Sequence, residues 1–148
     1  MAELFNAEEI NPDLPGFILC SHGPMAMGMV ETIRMLTGEK TNIAAFTLEE
    51  GDSVEEYQDK IGNAIESFPG GCIVFVDVLG GTPSNSVMLY ARKVNRVINS
   101  VAGLNVPMMM EAVLMRPYST CEELMCSIMQ IENGGVVSIT EKLQKLIK

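Results

Sequence analysis

His22 is the only histidine in the 148-residue chain, and it stands between a short apolar run, Phe17 to Cys20, and Gly23. An imidazole at the exit of a buried strand lies where open α/β sheets collect their chemistry. Asp77 has the same setting, directly after Cys72 to Val76, five apolar residues of which three are β-branched. A carboxylate that accepts from the imidazole Nδ1–H fixes the tautomer and leaves a lone pair on Nε2. Such a nitrogen is a nucleophile for a phosphoryl group. Gly80-Gly81-Thr82-Pro83 follows Asp77 closely. Its glycines let backbone approach a phosphate, and Thr82 adds a hydroxyl donor. Helices opening near Gly23-Pro24 and at Thr82 would aim unpaired amides at the same crevice, which suits an anion. Taken singly, each feature has an ordinary reading. A lone histidine can be a structural hydrogen-bonding residue, Asp77 can cap a turn, and Gly-Gly-Thr-Pro can be only a turn and a helix start. Their arrival at one sheet edge is what gives them chemical meaning.

That arrival depends on the elements around them. Phe17 to Cys20 predicts a central parallel strand. Ala26, Met29, Val30, Ile33 and Leu36 recur at helical spacing, with Gly38 as the stop. Met25, Met27 and Met29 crowd the start of that helix, as core fillers or as an adaptable docking rim. Ile43 to Phe46 reads as a second strand, and Ser53 with Glu56 as a capping box for a helix carrying Val54, Tyr57, Ile61, Ala64, Ile65 and Phe68. Cys72 to Val76 is the strongest strand. Thr82 is expected to cap the next helix, whose stripe is Val87, Met88, Ala91 and Val94. A weaker strand at Val97 to Ala102, a Met-rich helix through Leu114, and a helix capped by Ser119 and Glu122 follow. The order predicts an α/β fold of three layers, αβα, with a four-stranded parallel sheet. Val136 to Ile139 is expected to add a C-terminal fifth strand. Residues 1–15 are polar and acidic with two prolines nearby, and read as a weakly structured N-terminal extension; residues 16–148 form one domain.

Composition excludes several classes. Hydrophobic residues make up 47% of the chain, so disorder is ruled out, while Trp is absent and the core must be aliphatic and Met-rich. No apolar run approaches the roughly 20 residues of a membrane span, and no basic, apolar leader precedes the first strand. The net charge of −9 repels nucleic acid and suits a basic protein partner. The four cysteines form no C-x-x-C pair, and no metal site is expected. These features point to a cytoplasmic protein that needs no cofactor.

Three blocks carry a resemblance. Ser21-His22-Gly23, then Asp77 to Asn85 in the pattern D-x-x-G-G-[ST]-P-x-N, then Asn105-Val106-Pro107-Met108 resemble the enzyme IIA domain of the mannose family of the bacterial sugar phosphotransferase system. The resemblance covers roughly residues 16–140. It implies that His22 accepts a phosphoryl group on Nε2 from the phosphocarrier HPr and passes it to a IIB domain. It implies that Asp77 holds the other ring nitrogen, that Thr82 lies beside the phosphohistidine, and that membrane subunits IIC and IID are reached only indirectly. It also implies a homodimer in which a C-terminal strand, here Val136 to Ile139, crosses to the partner's sheet edge. The acidic extension departs from the family pattern, as do Leu79 and Ser84, where the family often has aromatic or bulky residues. Those last two positions bear on the choice of partner more than on the chemistry.

Two other functions compete. A hydrolase could use Ser21, Ser84 or Ser86 with His22 and Asp77, but no G-x-S-x-G elbow is present. A regulatory or anion-binding module would keep the fold and the helix-end site without handing phosphate to a IIB acceptor. Neither a P-loop nor a dinucleotide fingerprint occurs.

Overall fold

The computed structural model describes residues 1–147. Its centre is a five-stranded sheet in the order β1-β3-β2-β4-β5. The strands are β1 (Ala2–Leu4), β2 (Gly16–His22), β3 (Ile43–Leu48), β4 (Cys72–Val76) and β5 (Ser100–Ala102). The helices are α1 (Met25–Thr37), α2 (Val54–Ile65), α3 (Thr82–Val94), α4 (Val106–Met115), α5 (Cys121–Met129) and α6 (Ile139–Leu146). β2 to β5 are mutually parallel, as expected from the alternation of strands and helices. Successive side chains along each strand serve opposite faces. Phe17, Leu19, Ile73 and Phe75 pack with α1, α4 and α5, while Ile18, Cys20, Val74 and Val76 pack with α2 and with Val87 of α3. The sheet is therefore the middle of three layers.

The fifth strand is not the one expected. β1 pairs antiparallel with β3, Ala2 opposite Thr47, so the sheet is mixed and not wholly parallel. The N-terminal fifteen residues, expected to be weakly structured, are bound along their length. The buried Thr47 hydroxyl accepts from the Ala2 amide at 2.9 Å and donates to the Ala2 carbonyl at 3.1 Å. Phe5 lies between Phe46 and Phe68, with ring centroids 6.2 and 5.9 Å away. Asn42, with φ at 56°, is buried and accepts from the Asn11 amide at 2.8 Å. Its own amide donates to the Asn11 and Leu14 carbonyls at 2.8 and 2.9 Å. Arg116 closes the same end of the sheet: it is buried, donates to Pro15 and Thr41 carbonyls, and lies 5.0 Å from the centre of the Phe17 ring.

Val136 to Ile139 forms no strand within its own chain. A left-handed turn at Asn133 and Gly134 precedes it, and Ser138 then caps α6 by accepting from Glu141 N–H at 3.1 Å. β-branched residues favour a pleated neighbour but do not create one. Val136, Val137 and Ile139 are exposed. Helix boundaries needed smaller corrections. Thr120, not Ser119, caps α5, in a reciprocal capping box with Glu123. Gly81, not Thr82, is the cap of α3, and Thr82 is its first residue. The buried face of α3 is Pro83, Ser84, Ser86 and Val87, leaving Met88 and Val94 exposed; Leu36 of α1 is exposed as well.

Candidate functional site

The site lies where β2 and β4 end side by side. Cys20 pairs with Val76 in the sheet, so His22 and Asp77 leave adjacent strands at the same edge. His22 Nδ1 is 2.8 Å from Asp77 Oδ2, and the His22 backbone amide donates to the same oxygen at 2.9 Å. The other carboxylate oxygen accepts from Val78 N–H at 2.9 Å. Burial alone would raise the Asp77 carboxyl. The His22 amide, the His22 ring and the Val78 amide outweigh it, and the carboxyl is held below its ordinary range. Asp77 is thus an ionised anchor with little freedom, whereas half of the His22 side-chain surface remains open to solvent.

Nε2 has different surroundings. A Cβ placed on Gly81 would lie 2.5 Å from His22 Cε1 and 3.1 Å from Nε2. The backbone at the start of α3 therefore touches the edge of the ring opposite Asp77. Gly81 has an ordinary extended conformation, φ −84° and ψ 174°, so glycine is required there for space. Gly80 is different: its φ of 90° requires the left-handed region that glycine tolerates. No side chain caps α3, so its first-turn amides have no side-chain partner. The Gly80 amide has one long contact, 3.4 Å to Ser84 Oγ. Thr82 is half-buried, one residue beyond the glycine that touches the imidazole.

Gly23 takes another part. Its amide donates to the Leu48 carbonyl at 2.8 Å, and its φ of 58° turns the chain from β2 into α1. That amide is already engaged, so Gly23 supplies the turn and no free donor. Ser21, weighed above as a hydrolase nucleophile, is wholly buried, and its hydroxyl is bonded to Gly23 O and Ala26 N. Ser84 is buried too. Ser86 is buried as well, with its Oγ bonded to nothing among the described residues; none of the three is an exposed hydroxyl, so the serine-hydrolase reading has no geometric support.

One wall of the site was not legible as such. The β3–α2 loop, with Glu49, Glu50 and Asp52, faces His22 across an open crevice of about 770 Å³. In the sequence this stretch reads only as a chain break before a cap, because its place opposite His22 depends on β3 lying next to β2. On the other side, Val78 and Leu79 are exposed, as is Met25 at the start of α1. The crevice beside the imidazole is lined by Leu48 and Val54 together with the carboxylates of the β3–α2 loop.

The buried cysteines play no part in this chemistry. Burial pushes Cys20 and Cys72 up to about 12, so these thiols stay protonated. Among the described residues no helix is long and apolar enough to cross a membrane.

Comparison with known proteins agrees with the geometry. The family model for the PTS system fructose IIA component matches residues 16–129. The fructose-specific EIIA component of Bacillus subtilis is 24% identical over 131 residues, covering 87% of this chain and 89% of that protein. The mannose/sorbose-specific IIA subunit from Enterococcus faecalis superposes with a TM-score of 0.73 at 30% identity, over 84% of this chain and 94% of that one. EIIA from Streptococcus agalactiae has the same fold, with a TM-score of 0.77 at 23% identity, over 85% of this chain and 98% of its own. A match over that much of the sequence decides the membership: this chain belongs to the IIA components of the sugar phosphotransferase system, in their mannose family.

Proposed function

We propose that this protein is a cytoplasmic phosphoryl carrier that takes a phosphoryl group from HPr onto His22 Nε2 and delivers it to a IIB domain for sugar uptake. The observation that carries this reading is the asymmetry of the imidazole. Nδ1 is bonded to an ionised Asp77, and the Nε2 edge meets the uncapped start of α3 at Gly81. In the loading step the Nε2 lone pair attacks the phosphorus carried by the donor's histidine. The new N–P bond forms as the donor's N–P bond breaks, and that electron pair returns to the donor ring. The proton stays on Nδ1, where Asp77 offsets the positive charge of the ring. In the unloading step the pair in the His22 N–P bond returns to Nε2 as the acceptor on IIB attacks. Little covalent chemistry is asked of the protein, and positioning and charge stabilisation supply most of the catalysis. The amides of Gly80, Gly81 and Thr82, where the chain enters α3, serve the phosphoryl oxygens together with the Thr82 hydroxyl.

The setting also favours a phosphoryl donor that is a protein. Glu49 and Glu50 flank the crevice and disfavour small free anions, whereas a donor with a basic surface gains from them; Asp52 beside them is already paired with the Met1 ammonium at 3.0 Å. Exposed Met25, Val78 and Leu79 give such a partner apolar contact. The partners are thus HPr and IIB, with the membrane IIC and IID subunits reached through IIB.

The same reading includes a homodimer. β5 pairs only with β4 and leaves its outer edge open, and Val136, Val137 and Ile139 are exposed without a strand partner. A second copy's Val136 to Ile139 completes that edge. Long unprotected edges and apolar β-branched segments are normally avoided, and exchange removes both at once.

The direct test is incubation with phosphoenolpyruvate, enzyme I and HPr. One acid-labile phosphoryl group is expected on the wild-type chain and none on His22→Ala. Labelling of His22→Ala at the wild-type rate would overturn the assignment. Transfer onward to a IIB domain separates a carrier from a regulatory protein of the same fold.

A further inference from the structure

The turn that holds His22 is bridged by a hydroxyl on the other face of the sheet. Ser21 follows Leu19 in the alternation of β2, so it points to the α1 side while His22 points to the α3 side. It is wholly buried. Its Oγ accepts from the Ala26 amide at 2.8 Å and donates to the Gly23 carbonyl at 2.9 Å. The residue at the N-cap of α1 is Pro24, which makes no side-chain cap bond. Ser21 therefore does the work of the missing cap from inside the preceding strand, and it ties both sides of the Gly23-Pro24 turn together. The turn is also held by the Gly23 amide on Leu48 O, the Gly28 amide on Pro24 O and the His22 amide on Asp77 Oδ2.

We infer that Ser21 is a positioning residue for phosphoryl transfer: its buried hydroxyl fixes the turn that sets the His22 ring between Asp77 and Gly81. This rests on the carrier reading above. The margin for error is narrow, because the Gly81 backbone leaves no room for the ring to move towards α3. A turn loosened by a fraction of an ångström swings Nε2 away from the α3 amides or lengthens the bond to Asp77, and misplacement of that order is expensive in rate. The hydroxyl needs both of its roles, donor and acceptor, so a threonine can replace it and an alanine cannot. Its burial and its lack of contact with the crevice keep it out of the surface that a partner protein touches.

The test compares Ser21→Ala and Ser21→Thr in the full chain, with the amide NMR spectrum as the check on folding. With phosphorylated HPr as donor, Ser21→Ala is expected to lower the maximum rate of His22 phosphorylation about ten- to a hundredfold. The donor concentration at half-maximal rate should stay within about twofold, because the docking surface is untouched. Ser21→Thr should recover most of the rate. The ¹⁵N signals of the His22 ring give a second readout that needs no donor: one tautomer in the wild type and in Ser21→Thr, a mixture in Ser21→Ala. A wild-type maximum rate with an unchanged ring signal in Ser21→Ala overturns the inference. So does equal loss in Ser21→Thr, which would make packing, and not the hydroxyl, the cause. If the wild-type chain takes no phosphate at all, the carrier reading fails instead, and the ring signals alone then decide whether Ser21 sets the imidazole.

Discussion

The His22 imidazole is held between two residues, Asp77 on Nδ1 and Gly81 on the opposite edge. Asp77 accepts from both the ring and the backbone of His22, so it orients the side chain and pins the strand end that carries it. Its carboxyl lies below the ordinary range in the folded chain despite partial burial. A depressed carboxyl binds its proton less readily when folded than when unfolded, so it contributes stability above about pH 4 and loses it as the pH falls through the folded value. Denaturant titrations of wild type and Asp77→Asn should therefore differ most near neutrality and converge in acid. A gap that stays constant from neutral to strongly acid pH would remove the Asp77 carboxylate as its source. Phosphorylation of Asp77→Asn should also be slower, because an amide can present its nitrogen to Nδ1 and select the wrong tautomer. Gly81 makes a separate prediction. Its backbone angles suit any residue, but a methyl group would meet His22 Cε1 at 2.5 Å. Gly81→Ala should leave thermal stability within about 1 kcal/mol of wild type and lower the phosphorylation rate about a hundredfold. Full activity in that variant would show that the ring has more room than the geometry allows.

Among the elements, the N-terminal segment departs most from what the chain pattern implies. Ala-Glu-Leu has no alternation long enough to read as a strand, and its pairing with β3 comes from backbone groups and the Thr47 hydroxyl. Its anchor is Asn42, a buried residue that combines a left-handed backbone with three side-chain hydrogen bonds. Asn42→Ala should destabilise the protein by about 2–4 kcal/mol, since it strands the Asn11 and Leu14 backbone groups and places alanine at a positive φ. Asn42→Gly relieves the backbone term only and should recover a minor part of that loss, as measured by chemical denaturation. Equal stability of Asn42→Gly and wild type would mean that the amide bonds to residues 11–14 contribute nothing. The long elements were legible because burial imposes a period on them. α2 shows its helical stripe and β4 its continuous apolar run. α3 was harder, because its buried face is Pro83, Ser84, Ser86 and Val87, small and polar types that carry no hydrophobic signal.

For the molecule as a whole, the C-terminal segment leaves apolar surface uncovered within the chain. Val136, Val137, Ile139, Leu143 and Leu146 are all exposed, and the last three recur along one side of α6. α6 buries no residue within its own chain. If Val136 to Ile139 pairs with the β5 edge of a second copy, sedimentation should show a dimer for the full chain. A chain ending at residue 135 should then sediment as a monomer with its His22 site still able to take phosphate. A truncated chain that remains dimeric would place the interface elsewhere.

The sequence by itself determined the local parts: the parallel strands, the helices between them, and a histidine, an aspartate and a glycine turn at strand exits. These are legible because strand ends, glycines and caps obey short-range rules of sterics and hydrogen bonding. It also carried the family resemblance, through motifs whose spacing reflects the βα repeat. Tertiary structure alone decided that β2 and β4 are neighbours, which brings Nδ1 to Asp77 and Gly81 against the ring. It decided that the acidic β3–α2 loop faces the same crevice. It also decided that the added strand is N-terminal, while Val136 to Ile139 finds no strand partner within its own chain. Strand order and edge pairing depend on which backbone donors and acceptors remain open once the core has packed. No residue type or spacing along the chain records that.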